Sequence, residues 1–100
     1  MNINIINPSY LNNSNKQKEE TKIIIYNKIY EKIEKRIIAV NNSNATFLIY
    51  EVPCFLIGYP TFNVDTCSTY IQNKLISNNF KVNILSKNTL LLISWAEDNI

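Results

Sequence analysis

Histidine is absent from the 100 residues, and the chain has one glycine, one tryptophan, one methionine and two cysteines. Each shortage removes a class of chemistry. Without histidine the commonest general acid and base is missing. Two cysteines, Cys54 and Cys67, thirteen positions apart and without histidine partners, cannot furnish a four-ligand zinc site. A single glycine leaves no material for a phosphate-cradling loop of the GxGxxG or GxxxxGK[ST] kind. No metal and no small-molecule cofactor is therefore expected. Charge of either sign is also scarce: 10 basic against 8 acidic residues leave a formal +2, too weak a field to gather nucleic acid or anionic membrane without a local patch. No apolar run approaches the ~20 residues that span a bilayer. The opening MNINIINP carries neither a basic leader nor a sustained apolar core. The expectation is a soluble, intracellular protein that is not secreted and does not enter a membrane.

A catalytic reading would rest on Glu51, Asp65, a lysine, a tyrosine or one of the cysteines, and no pair of carboxylates stands at supportive spacing. Cys67 lies near a helix start, where thiols become reactive, but on that helix's inward stripe. Both cysteines are read as reduced core residues, and the protein is read as not an enzyme.

What is present is 46% hydrophobic residues with 18% charged, an ordinary globular balance in a chain long enough for one modest core. Asn, Ile, Lys and Tyr share AT-rich codons, so isolated asparagines are given no weight. Residues 1–16 alternate Asn with Ile and then pass through NPSYLNNSN, read as a flexible N-terminal arm, with a short edge strand at Asn2 to Ile6 as the alternative. From Gln17 the periodicity predicts an amphipathic helix, with Tyr26, Ile29, Ile33, Ile37 and Val40 on one face and Lys28, Glu31, Lys32 and Lys35 opposite; it ends in the NNSN at 41–44. Ile and Tyr are mediocre helix formers, so this helix depends on docking its isoleucine stripe.

Thr46 to Val52, TFLIYEV, reads as a strand covered on both faces and ended by Pro53. A second helix follows from Val64 to Asn78, capped by Asn63, with Cys67, Ile71 and Leu75 inward and Asn78 or Asn79 in the left-handed position that ends it. Phe80, Val82 and Ile84 then alternate with polar residues, Ser86 to Asn88 turn, and Thr89 to Trp95 returns as a more buried strand. The predicted fold is a single α+β domain over residues 17–95, in the order α-β-α-β-β. Two helices pack on a three-stranded sheet, four-stranded if Asn2 to Ile6 joins it, and residues 96–100 form a short acidic tail.

Between the first strand and the second helix runs PCFLIGYPTFN. Two prolines and the glycine deny it a regular element, and an irregular segment cannot bury all of Phe55, Leu56, Ile57, Tyr59 and Phe62. It is either a plug across the end of the sheet or a presented surface. Phe55, Tyr59 and Phe62 are the candidate anchors for a protein partner or for self-association.

Tyr50-Glu51-Val52-Pro53, Gly58-Tyr59-Pro60, Cys67, Phe80-Lys81-Val82 and Ile93-Ser94-Trp95 together resemble an uncharacterised family of short proteins from nucleocytoplasmic large DNA viruses, over Glu20 to Trp95. Where members of that family tend to place glycine before the phenylalanine, this chain has Asn79, which tolerates the same backbone conformation. The resemblance implies a viral setting, in host cytoplasm, virus factory or virion, and supplies no chemistry.

The functional expectation is a non-catalytic interaction or structural protein. The alternative is a winged-helix-like nucleic-acid binder, because the order of elements matches. Thr66, Thr69, Asn73 and Lys74 of the second helix, with Lys87 in the hairpin turn, would then touch nucleic acid. With so few cations on that face, such binding would be weak and strongly salt-dependent.

Overall fold

A computed structural model describes residues 8–96 of the chain, with side chains from residue 20 onward. Helix α1 runs Pro8–Asn42, strand β1 Phe47–Glu51, helix α2 Val64–Ser77, strand β2 Lys81–Ile84 and strand β3 Leu90–Ser94. This is the expected α-β-α-β-β domain with a three-stranded sheet, whose two pairings, left open between antiparallel and mixed by the sequence, are both antiparallel. The strand order, which periodicity could not supply, is β1-β3-β2. β3 is central, with Leu48 opposite Ile93 and Tyr50 opposite Leu91 on one side, and Val82 opposite Ile93 on the other.

The isoleucine stripe of α1 is the core. Ile25, Ile29, Ile33 and Ile37, with Tyr26 and Tyr30, are buried against Leu48, Leu91 and Ile93 of the sheet and Cys67, Ile71 and Leu75 of α2. Each fully buried isoleucine contributes ~1.5–3 kcal/mol relative to exposure, which offsets the modest helix propensity of Ile and Tyr. α1 lies over β1 and α2 over β2, both on the same face of the sheet.

The two helices are joined by a polar cluster. Lys74 donates to Asn27 Oδ1 at 2.8 Å, Tyr70 donates its hydroxyl to the same oxygen at 2.9 Å, and Asn78 donates to the Tyr30 hydroxyl at 2.9 Å. The Lys74 ammonium also stands 4.6 Å from the centre of the Tyr30 ring, a favourable cation–π placement.

Both helices stop on asparagine. Asn44 (φ 68°) and Asn79 (φ 72°) hold left-handed backbone, and each closes a paired set of bonds that satisfies the last carbonyls. Asn44 N–H donates to Asn41 O and Ala45 N–H to Val40 O, while Asn79 N–H donates to Ile76 O and Phe80 N–H to Leu75 O. At its start, α2 is capped as expected: the Asn63 side chain accepts from Thr66 N–H at 2.9 Å.

Three expectations are corrected. The helical region opens at Pro8 and not at Gln17, so residues 8–16 belong to α1 and not to a flexible arm; a proline is favoured in the first turn, where its missing N–H costs nothing. β1 is covered on one face only, since Phe47, Ile49 and Glu51 are exposed; two helices on the same side leave the other side of the sheet bare. Cys54 is exposed, and only Cys67 is buried, both as free thiols. The edge strand considered at Asn2 to Ile6 and residues 97–100 of the tail lie outside the described residues.

Asparagine serves here where glycine usually would, which gives a directional test. Asn79→Ala is expected to cost about 1 kcal/mol, because alanine pays the full left-handed penalty, whereas Asn79→Gly should match or exceed the parent stability. Urea unfolding of the two variants checks the sign.

Candidate functional site

β1 ends at Glu51, because Pro53 cannot donate to a ladder; the last bond on that side is Val52 N–H to Thr89 O, 2.9 Å. The chain must then cross from the end of the sheet to the start of α2, and Pro53 to Phe62 makes that crossing. Its middle is a tight turn, Leu56 to Tyr59, closed by Tyr59 N–H donating to Leu56 O at 3.1 Å. Gly58 is the third residue of that turn with φ 88°, the signature of a type II turn. No atom lies within 4 Å of where a Gly58 Cβ would stand, so glycine is required there by backbone conformation and not by space.

This turn decides between plug and presented surface, and it does both. Phe62 and Leu56 are half-buried and packed on the core, Phe62 meeting the Tyr26 ring edge-on at 6.2 Å between centroids. Ile57, at the second position of the turn, is 87% exposed; Phe55 is 62% exposed and Tyr59 38%. Of the three candidate anchors, Phe55 and Tyr59 are therefore presented to solvent, while Phe62 ties the loop down. Ile57 had no individual signal beyond its place before glycine, which is the tip position of a type II turn.

Beside the loop is an open groove of about 350 Å³, lined by Lys32 of α1, Tyr50 and Glu51 of β1, and Pro53, Phe55, Leu56 and Ile57 of the loop. Burial raises the pKa of the Tyr50 hydroxyl above its ordinary value, Arg36 opposes that shift, and Cys67 adds slightly to it. Arg36 stands one helical turn beyond Lys32 on α1, and its charge acts on Tyr50 in the groove wall. Glu51 is ion-paired with Lys87.

The thiols sort by environment. Cys67 is pushed up to about 11 by burial, so it carries no thiolate at neutral pH. Cys54 is exposed at the start of the loop. Among the described residues no three His, Cys, Asp or Glu side chains stand close enough to hold a metal ion, and no helix is long and apolar enough to cross a membrane.

The residues proposed for nucleic acid are dispersed in their roles. Thr66, Thr69 and Asn73 are exposed on α2. Thr69 donates back to the Asp65 carbonyl at 3.1 Å. Lys74 is folded inward onto Asn27 and Tyr30, and Lys87 is held by Glu51. The outward face of α2 is thus left with Asp65 as its charged group.

The model of a family described as a family of unknown function (DUF5759) matches residues 6–76. The chain is also similar to the uncharacterized protein R447 of Acanthamoeba polyphaga mimivirus, 29% identical over 76 residues, 72% of this chain and 61% of that protein. It thus spans about three-fifths of the length of that relative. No solved structure matches it. The resemblance to uncharacterised viral proteins holds at this level.

The loop's dual role yields opposite expectations for neighbouring aromatics. Phe62→Ala should cost ~3 kcal/mol or more of folding stability, since it removes a ring packed on Tyr26 and the core. Phe55→Ala should change stability by less than ~1 kcal/mol. Denaturant melts of the pair separate the ring that anchors the loop from the ring that the loop presents.

Proposed function

We propose, for a chain that belongs to the family of unknown function DUF5759, that it is a non-catalytic interaction protein of a large DNA virus, docking on another protein through the loop from Pro53 to Phe62. The observation that carries this reading is Ile57, an 87% exposed isoleucine at the tip of a turn fixed by Gly58, with Pro53 and Pro60 on either side and Phe62 anchored behind it. Large apolar side chains held on a constrained backbone lose little conformational freedom on binding, so burying them yields more net affinity than burying the same area from a mobile segment. Phe55 and Tyr59 flank the tip and extend the apolar contact. The viral setting rests on the similarity to the mimivirus protein.

The nucleic-acid alternative has one observation in its favour beyond the order of elements: both members of the β2–β3 hairpin and β1 share one sheet below α2, as a winged domain requires. It is weakened by charge. Phosphate contacts dominate such binding, and the two lysines that would make them, Lys74 and Lys87, are engaged within the domain.

A photo-crosslinking amino acid placed singly at Phe55, Ile57 or Ile76 in the full chain, expressed in cells infected by a virus that encodes it, tests the reading. Discrete protein adducts are expected from positions 55 and 57 and none from Ile76, which is exposed on α2 away from the loop. Adducts from all three positions alike, or from Ile76 alone, would sink the proposal.

A further inference from the structure

β1 is an edge strand with an unguarded edge. Among the described residues it pairs with β3 alone, and Trp95 N–H to Thr46 O and Val52 N–H to Thr89 O fix which of its residues turn their backbone toward β3. By alternation these are Thr46, Leu48, Tyr50 and Val52, so Phe47, Ile49 and Glu51 direct their N–H and C=O groups to the open side. Among the described residues no backbone bond outside the ladder involves those three. Their side chains stand on the bare face of the sheet, Phe47 54% and Ile49 52% exposed.

The opposite edge is built differently. β2 is four residues long and places Lys81 and Asn83 on that same bare face, the polar guarding usual for an edge that must stay unpaired. β1 has no such guard, since its only charge, Glu51, is already taken by Lys87.

On the helix side of the β1 edge the charge is positive. α1 meets α2 through Asn27 and Tyr30, and Lys32 and Arg36 project from the flank turned away from α2, over the β1 side. Lys32 lines the groove with Tyr50 and Glu51, and Arg36 acts electrostatically on Tyr50. Neither cation has an ion pair or hydrogen bond among the described residues.

We propose that the β1 edge receives an extended segment of another protein as a fourth strand, with acidic side chains on the face toward Lys32 and Arg36 and apolar ones on the face of Phe47 and Ile49. Backbone bonds to Phe47, Ile49 and Glu51 would supply affinity, and the period-two alternation of acid and apolar would supply specificity, as in strand addition generally. The strand's end would enter the groove beside Phe55 and Ile57, so the inference rests on the docking role of the loop and names the partner's chemistry. A second copy fits less well. Two-fold antiparallel pairing of β1 with itself keeps both sets of helices on one face of the joined sheet and brings each copy's α1 flank, with Lys32 and Arg36, against its own kind.

The probe is a capped eight-residue peptide of alternating glutamate and valine, titrated into the full ¹⁵N-labelled chain, beside a lysine–valine counterpart. Amide shifts at Phe47, Ile49 and Glu51 are expected with the acidic peptide alone, lessening as salt is raised. Lys32→Glu with Arg36→Glu should weaken binding about tenfold or more, and Lys32→Gln with Arg36→Gln by less, with unfolding stability unchanged in both. N-methylation at alternate peptide nitrogens facing the edge should abolish it. The inference is overturned if both peptides bind alike, if the shifts fall on Thr66 to Asn73, if a nucleic-acid duplex displaces the peptide, or if the chain dimerises through this edge. Crosslinking at Ile57 with no peptide response at β1 would overturn this inference and leave the loop's docking role standing. A peptide response at β1 with no crosslinking at Phe55 or Ile57 would do the reverse, removing the loop as anchor and leaving the edge.

Discussion

The structure depends on one constraint: two apolar helix stripes must be covered, and a single face of a three-stranded sheet covers both. Ile25, Ile29, Ile33 and Ile37 of α1 and Cys67, Ile71 and Leu75 of α2 converge on Leu48, Leu91 and Ile93. Among the described residues there is no further helix to cover the other face. The bare side of β1 and the open β1 edge follow directly, and so does the crossing loop, because α2 must start back above the sheet after β1 has run to its end. The exposed loop, the bare face of β1 and its open edge thus share one origin in the placement of both helices on a single side of the sheet.

The surrounding details keep this arrangement in one register. Asn27 holds both Tyr70 and Lys74, and Tyr30 receives Asn78, so the helices cannot slide along one another without breaking several part-buried hydrogen bonds. Ser68, fully buried on α2, donates to the Asn88 carbonyl at 2.8 Å and ties α2 to the β2–β3 turn. At the far end, Trp95 donates to Asn41 and its ring meets Phe80 edge-on, closing β3 against the end of α1. The loop gains its rigidity from the same economy, with Phe62 spent on the core and Ile57 left outside.

Much of the fold was legible in the sequence because period and cap chemistry are local. The α1 stripe, the Asn63 cap, the inward Cys67, Ile71 and Leu75, the left-handed Asn79 and the hairpin all appear where spacing places them. What failed was not local. FLIYEV is apolar at nearly every position, and such a run reads as covered on both faces; only the count and placement of helices reveals that Phe47 and Ile49 face outward. The start of α1 failed because Asn- and Ser-rich sequence favours turns in isolation, yet extends a helix already nucleated downstream. The site was half legible: two prolines and one glycine marked the loop as irregular and partly exposed, but which of its apolar residues would be presented depended on the turn at Gly58. Lys32 and Arg36, interleaved with Glu31 and Glu34, read as an ordinary solvated face; their relation to the β1 edge exists only after the sheet order is known.

The central claim is that β1 is an open edge beside a fixed loop, and amide hydrogen exchange of the isolated, dilute protein tests it most directly. Along β1 the expected result alternates: Leu48, Tyr50 and Val52 are protected by their bonds to β3, while Phe47, Ile49 and Glu51 exchange far faster. Uniform protection across all six amides would mean that the edge is already covered, and the account would be wrong.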